Sequence, residues 1–420
     1  MHFSELMAAI STHAIRLQQE DEDLVILGSD DALDDALWDS LSEHKAQLLE
    51  LVAQNGGDWL SPAFRITPDM LPLVTLDQPT IDRMVANVPG GAANLQDIYP
   101  LAPLQEGMLY LHLSAPAGDP YVSQARFAFD SRARLEAFAE ALQWMIERHD
   151  ILRTAFVWER LDEPLQVVQR QARLHCEEIA LAPGADALTQ LLERHDPRFF
   201  RLDIQRAPLL RLVYAMDPAN GRVVALLLFH HLIMDHVALD VVRRETRAHL
   251  LGQTAQVGPP VPYRDHLAKA RLRLDEQVHE GFFREMLADI DEPTLPCGLQ
   301  DVQGDGQGIE EALLMLDTDF SRQLRGQARQ LGVSVASLMH LALARVLGQL
   351  SGRTAVVFGT VLLGRMEAGE GGEQALGMFI NTLPLRVDVG QDGVRAGVLA
   401  THRRLTALLG HEQTLSLIHI

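Results

Sequence analysis

Cysteine is nearly absent: Cys176 and Cys297 are the only two in 420 residues. Two thiols argue against a disulfide framework and make a reducing cytoplasm the expected compartment. Long apolar runs are missing as well, and no stretch is extensive enough to span a bilayer. The first residues carry acids and no basic region ahead of an apolar core, so no secretory signal is read there. Basic residues are outnumbered, 36 Lys and Arg against 57 Asp and Glu, giving a formal net charge of -21. Such a surface repels phosphates, which excludes nucleic acid as a partner and says nothing positive about a substrate. With 47% hydrophobic residues the chain has ample material for packed structure, and its length suggests two or three domains.

What is present centres on one junction. The apolar run Val223 to Phe229 passes without a break into His230-His231-Leu232-Ile233-Met234-Asp235-His236. A continuous, partly β-branched run marks a strand covered on both faces, here delivering its polar end to a cleft. Side chains alternate along a strand, so His230 and His231 are expected on opposite sides. One of them is then the reactive group, and the other, with Asp235, holds the turn. A metal site is disfavoured: neither the i, i+4 His pair of a helical site nor the HxHxDH run of some zinc hydrolases is present, and no Cys or Glu cluster lies nearby.

Other stretches extend this pattern. Ile98-Tyr99-Pro100-Leu101-Ala102-Pro103-Leu104-Gln105-Glu106-Gly107-Met108-Leu109 comes first, then Arg148-His149-Asp150-Ile151-Leu152-Arg153-Thr154-Ala155-Phe156, an RHxxLRTxF run. Beyond the histidines stand Tyr263-Arg264-Asp265-His266 and Gly377-Met378-Phe379-Ile380-Asn381-Thr382-Leu383-Pro384-Leu385-Arg386. Taken in order with the HHxxxD core, these resemble the motifs of the condensation domain of nonribosomal peptide synthetases, from about Asp97 to the end of the chain. Two positions depart from the family pattern. His266 replaces the second aromatic residue of YxDY, and His236 stands where the family usually has Gly, which bears on the shape of the cleft floor.

The resemblance implies an α/β (α+β), chloramphenicol-acetyltransferase-like fold of two lobes and an amide-forming acyltransferase activity. The amine of a downstream aminoacyl thioester attacks an upstream acyl or peptidyl thioester, both held on carrier proteins. It gives the catalytic place to His231, a packing and hydrogen-bonding role to His230, and a structural role to Asp235, paired with Arg153. Whether His231 is a true base or mainly orients the amine is open at this level. No cofactor is implied on the chain itself, because the 4'-phosphopantetheine arms belong to the upstream and downstream peptidyl carrier proteins. Leu111-His112-Leu113-Ser114-Ala115-Pro116-Ala117-Gly118-Asp119 further resembles the HH[I/L]xxxxGD motif of dual epimerisation/condensation domains, with Leu111 in place of its first His. His112 and Asp119 are thus candidates for epimerisation of the upstream residue, and condensation without epimerisation stays open.

Ahead of this region, apolar spacing predicts a helix from Phe3 to Leu17, a strand at Leu24 to Leu27, an acidic turn at Ser29 to Asp31, and a helix from Ala32 to Ala53 ending at Asn55-Gly56-Gly57. This unit resembles the N-terminal docking domain of the tubulysin-synthetase type, which implies a partner in the C-terminal tail of the upstream synthetase subunit. The proline-rich stretch 59–96 reads as a linker with short helical turns. The expected division is therefore docking domain 1–58, linker 59–96, first lobe 97–258 and second lobe 259–414. Within the lobes, helices are expected at Arg134 to Arg148, Phe320 to Leu331, Val335 to Leu350 and Ala396 to Gly410, and a strand at Ala355 to Thr360. The second lobe is expected to be incomplete and 415–420 to be a non-native tail, resembling the translation of a sequencing adapter. Two alternatives from other classes share these features: a coenzyme A-dependent acyltransferase built on the HxxxD core, and a docking fragment without activity.

Overall fold

The computed structural model describes residues 3–12, 15–20, 23–27, 35–54, 58–60, 65–182, 184–273, 276–299, 310–365, 372, 374–390, 393–412 and 414. The turn expected at Ser29 to Asp31, the helix end at Asn55 to Gly57 and the tail at Leu415 to Ile420 lie outside them. The chain forms two compact units that interleave along the sequence. The first is Met1–Leu101, Leu135–Cys176 and Asp203–Leu212; the second is Ala102–Arg134, Glu177–Leu202 and Val213–Ile420.

The chain opens with α1 (Phe3–Thr12), β1 (Arg16–Glu20), β2 (Asp23–Leu27), α2 (Asp35–Glu43), α3 (Lys45–Gln54) and β3 (Asp58–Leu60). The helix predicted through Leu17 ends at Thr12: Ile15 and Leu17, both buried and two apart, share one face of an extended chain and not of a helix, and β1 pairs antiparallel with both β2 and β3. One expected strand is thus a three-stranded sheet, order β2-β1-β3. One expected helix is two, divided by a turn at His44. Leu6, Ile10, Ile15, Leu17, Leu37, Leu41, Leu48 and Val52 form a core of their own.

Next come α4 (Gln78–Asn87), β4 (Leu95–Pro100), α5 (Pro103–Ser114), β5 (Val122–Phe129), α6 (Arg132–Arg148), β6 (Thr154–Val157), β7 (Leu165–Gln169), β8 (His175–Glu178), α7 (Ala187–Arg194), β9 (Leu210–Asp217) and β10 (Arg222–His230). The stretch expected as a linker is packed instead. Ile66, Leu71, Ile81, Met84 and Val88 join Leu95 and Ile98 of β4 and Leu165 and Val167 of β7 in one cluster. Two of its prolines open helical turns, Pro68 a 3-10 turn and Pro79 the first turn of α4 behind the Asp77 cap, where a missing N–H costs nothing. Strands β4, β7 and β6 form a second three-stranded sheet of the first unit, order β4-β7-β6.

The second unit continues with α8 (His236–Leu250), α9 (Tyr263–Arg273), α10 (Glu276–Leu287), α11 (Thr318–Leu331), α12 (Val335–Ser351), β11 (Ala355–Leu362), β12 (Asn381–Asp388) and α13 (Val394–Leu409). Strand β10 is interior to a four-stranded sheet, order β5-β10-β9-β8, and is buried from Val223 to His230. That is the environment its unbroken apolar run requires. It pairs antiparallel with β5 from Val223↔Phe129 to His230↔Val122. Helices α12 and α13 bury Leu341, Ala344, Val398 and Leu408 with Val356, Leu383, Leu385 and Val387 of the β11-β12 pair. Among the described residues no single helix is long and apolar enough to cross a membrane.

Candidate functional site

The paired histidines sit where β10 ends and the chain turns through a short 3-10 segment, His231–Ile233, into α8. His230 is fully buried. Its Nδ1 accepts the N–H of Leu232 at 3.0 Å, so its proton lies on Nε2, which donates to Asp119 Oδ2 at 2.9 Å. His231 is half-buried. Its main-chain N–H donates to the carbonyl of Tyr121 at 2.9 Å and its Nδ1 donates to the carbonyl of Met234 at 3.2 Å. That bond leaves Nε2 of His231 as the ring's free lone pair, the atom able to take a proton or a hydrogen bond from an amine. Gln105, buried near the start of α5, ties the turn down by donating to the carbonyl of Leu232 at 2.7 Å.

Asp235 is the N-cap of α8, accepting from the N–H of Ala238 at 2.8 Å. Its side chain is fully buried, and its ionic partner is Arg365 at 2.7 Å. The pairing with Arg153 expected from sequence is thus replaced. Arg153 is itself buried, and its donors go to the carbonyls of Ile146 at 2.9 Å and Gln169 and to Gln96 Oε1 at 2.6 Å. Burial first of all lowers its pKa, against nearby acids that raise it. The reason for the exchange lies in the loop after β11. There Arg365 also donates to the carbonyls of Gly372 at 2.9 Å and Ala375 at 2.8 Å, and its guanidinium lies 4.3 Å over the ring of Phe379.

The two late motifs serve the same clamp. The Phe379 N–H donates to Asp235 Oδ2 at 3.3 Å, the Asp235 N–H donates to the Gly377 carbonyl at 3.2 Å, and the Tyr263 hydroxyl donates to the Met378 carbonyl at 2.6 Å. Gly377 has φ +149, and a Cβ there would fall 2.2 Å from the Tyr263 ring, so only glycine allows this approach. His266, in the variant position of YxDY, packs 4.5 Å from Phe379. Burial, then the charges of Arg365 and Lys269, push its pKa down from 6.5 to about 4, so it stands as a neutral ring. His236 is exposed on the first turn of α8, where its side chain takes no space from the buried turn.

His112 and Asp119 come together with His230. His112, on α5, is buried rather than at the surface, and its Nδ1 lies 2.5 Å from Asp119 Oδ2. Burial alone raises the Asp119 carboxyl, but hydrogen bonds from His112 and His230, with the N–H of Tyr121, hold it well below the usual carboxylate range. These three side chains are close enough to face one cation. They do not suit one, because His230 accepts a main-chain N–H at Nδ1 and would have to become an imidazolate to offer Nε2 to a metal. Of the site residues, sequence reasoning missed Arg365, Gln105 and Tyr121. The only sequence signal for Arg365 is a lone arginine after an apolar strand, and the other two act through atoms that no spacing rule reads.

The Condensation domain family matches residues 95–412. Malpinin synthetase of Mortierella alpina is 48% identical over 378 residues, 90% of this chain and 5% of that protein. Malpibaldin synthetase of the same organism is 47% identical over 348 residues, 83% of this chain and 6% of the relative. The chain therefore spans about a twentieth of the length of these curated relatives. A linear gramicidin synthase of Brevibacillus parabrevis is 30% identical over 403 residues, 90% of this chain and 5% of that protein. Among solved structures, the EpoB cyclization-docking bidomain from Sorangium cellulosum shares the fold with a TM-score of 0.60 at 16% identity, covering 99% of this chain and 79% of that one.

Proposed function

Because the chain belongs to the condensation-domain family, the amide-forming acyltransferases of nonribosomal peptide synthetases, we propose that it joins an upstream acyl or peptidyl thioester to the amine of a downstream aminoacyl thioester. The observation carrying this reading is the His231 ring, held through Nδ1 with Nε2 left free, at the end of a rigid buried strand. As the amine attacks the thioester carbonyl, a C–N bond forms and a zwitterionic tetrahedral species develops. Nε2 takes the amine's hydrogen bond and then its proton, and as the C–S bond breaks that proton passes to the departing thiolate, which leaves as the upstream carrier's thiol. A thioester is already activated, so orientation of the two partners supplies much of the rate. His230 and Asp235 act as supports, whereas Arg153 holds its own segment through Ile146, Gln169 and Gln96. Alternatives based on coenzyme A are not favoured, because the relatives found are peptide synthetases.

On this reading the chain holds no cofactor. The 4'-phosphopantetheine arms enter on upstream and downstream carrier proteins, and the setting is cytoplasmic. Residues 1–58 act as a docking domain of the tubulysin-synthetase type for the C-terminal tail of the upstream subunit, ahead of the stretch 59–96 and lobes at 97–258 and 259–414. Support for the docking role comes from the separate core of this segment, its small sheet with β2 at one edge among the described residues, and the fold shared with a cyclization-docking bidomain over nearly the whole chain.

A second reading adds inversion of the upstream residue before condensation. It is favoured by the burial of His112 and Asp119 beside His230, with His112 as the group that moves the α-proton and Asp119 fixing its ring. The test of the main reading is an assay of the purified chain with separately loaded upstream and downstream carriers. Amide product on the downstream carrier is expected, and product no faster than carriers alone overturns the proposal. The configuration of the product's upstream residue, read by chiral chromatography after hydrolysis, decides the second reading.

A further inference from the structure

Asp119 is almost completely buried, and both oxygens of its carboxylate are occupied. Oδ2 meets His112 Nδ1 at 2.5 Å and His230 Nε2 at 2.9 Å, while Oδ1 accepts the N–H of Tyr121 at 2.9 Å. A buried carboxylate is tolerated only with such a full set of donors. Two routes lead from it to the histidine turn. One runs through the His230 ring, whose Nδ1 then receives the Leu232 N–H at 3.0 Å. The other runs through the main chain of Tyr121, whose carbonyl accepts the N–H of His231 at 2.9 Å. Asp119 thus reaches both histidines of the turn, beside the bond from Gln105 to the Leu232 carbonyl.

The far side of Asp119 is also fixed. Its N–H donates to the carbonyl of Pro197 at 2.7 Å. Gly118, with φ +66, comes so close to the next carbonyl that an added Cβ would lie 2.1 Å from Arg198 O. Arg201 donates to the carbonyl of Ala115 at 3.0 Å and to that of His112, closing the end of α5. The Gly-Asp pair is thus a built junction. Glycine allows the close approach, and the aspartate enters the core as an anion with three donors.

On the reading of the chain as a condensation domain, we propose that Asp119 is a positioning residue for amide formation itself, holding the His230–His231 turn whatever the configuration of the upstream residue. A group that removes an α-proton must offer a lone pair to substrate, and the Asp119 oxygens already face His112, His230 and Tyr121. Its influence on chemistry runs through the two histidines.

The experiment uses the full chain with Asp119→Asn and, as a second variant, His112→Asn, which replaces the ring donor by a side-chain amide and leaves His230 in place. Condensation is measured with upstream carriers bearing a residue of either configuration, and long-range 1H–15N spectra of histidine-labelled protein report each ring's tautomer. For Asp119→Asn, kcat is expected to fall about 10- to 100-fold with both upstream configurations, with KM little changed, since a small misplacement of a reacting group costs that much. The His230 proton stays on Nε2, where the Leu232 N–H at Nδ1 keeps it, but the Nε2 signal is expected to shift as its carboxylate acceptor is lost. His112→Asn gives a smaller fall, again equal for both configurations. Turnover by Asp119→Asn within about threefold of the parent, far below that misplacement cost, or a loss confined to one configuration, overturns the proposal. If Asp119→Asn does not fold, His112→Asn decides by the same two criteria. If the parent chain makes no product, the condensation reading fails, while an unshifted His230 Nε2 signal in Asp119→Asn still overturns the positioning role.

Discussion

The Asp235 carboxylate and the Arg365 guanidinium, 130 residues apart in sequence, lie 2.7 Å apart, and both are buried. Breaking such a pair from one side leaves a charge without its partner in the interior, at a cost of about 3–5 kcal/mol. Arg365→Met and Asp235→Asn are each expected to destabilise the chain by that order. A double-mutant cycle between them is expected to show coupling above about 1 kcal/mol, whereas Asp235 and Arg153 should behave additively within about 0.5 kcal/mol. Urea unfolding of the single and double variants measures this. Coupling assigned to Arg153 instead would contradict the partner assignment.

His231→Ala tests the reactive ring. Product formation between loaded carriers is expected to drop by about 100-fold or more, in the range of a lost positioned acid or base. The melting temperature should stay within a few degrees, because His231 is half-buried and holds one side-chain hydrogen bond. Near-normal turnover in this variant sinks the assignment of His231.

His266 sets a pH dependence of stability. Its folded pKa, about 4, lies below the unfolded value near 6.5, so between these the unfolded chain binds the extra proton. Stability is therefore intact above about pH 6.5 and is lost as pH falls toward 4, by up to about 3 kcal/mol. His266→Phe removes that proton-binding site and keeps the ring against Phe379. Denaturant midpoints at pH 7 and pH 5 should converge for the variant relative to the parent, and equal slopes in both proteins would refute the claim.

The N-terminal segment is expected to fold when expressed as Met1–Leu60, since its sheet closes with β3 at Leu60 and its core is its own. Calorimetry or chemical-shift mapping should show weak binding of the upstream subunit's C-terminal tail, strengthened in the intact assembly through effective concentration. Deleting it should impair transfer from that subunit and spare reaction with small soluble thioesters. An unfolded segment, or no binding at high peptide concentration, ends the docking assignment.

Much of the local structure was legible in the residues. The run Val223 to Phe229 is a buried strand, and helices expected at Arg134 to Arg148 and Val335 to Leu350 occur within a few residues, as Arg132–Arg148 and Val335–Ser351. The errors lie where periodicity is ambiguous. Leu17 satisfies helix and strand spacing alike, and only pairing with β2 and β3 makes it a strand residue. The packed stretch around Ile81 has the composition of a linker, because its prolines and a Gly pair obscure a short helix whose apolar face is narrow.

The same division runs through the site. By itself the sequence determined the order of motifs, the two histidines at a strand end and the glycines that admit close backbone approach, since these depend on spacing and on the reach of a few neighbouring residues. Which cation meets Asp235, which oxygen holds His112 and His230, and why Arg365 and not Arg153 is the clamp were decided only by tertiary structure. Those pairings join residues as far as 130 positions apart, and a buried charge takes the partner that the fold brings within hydrogen-bond distance, which no local pattern encodes.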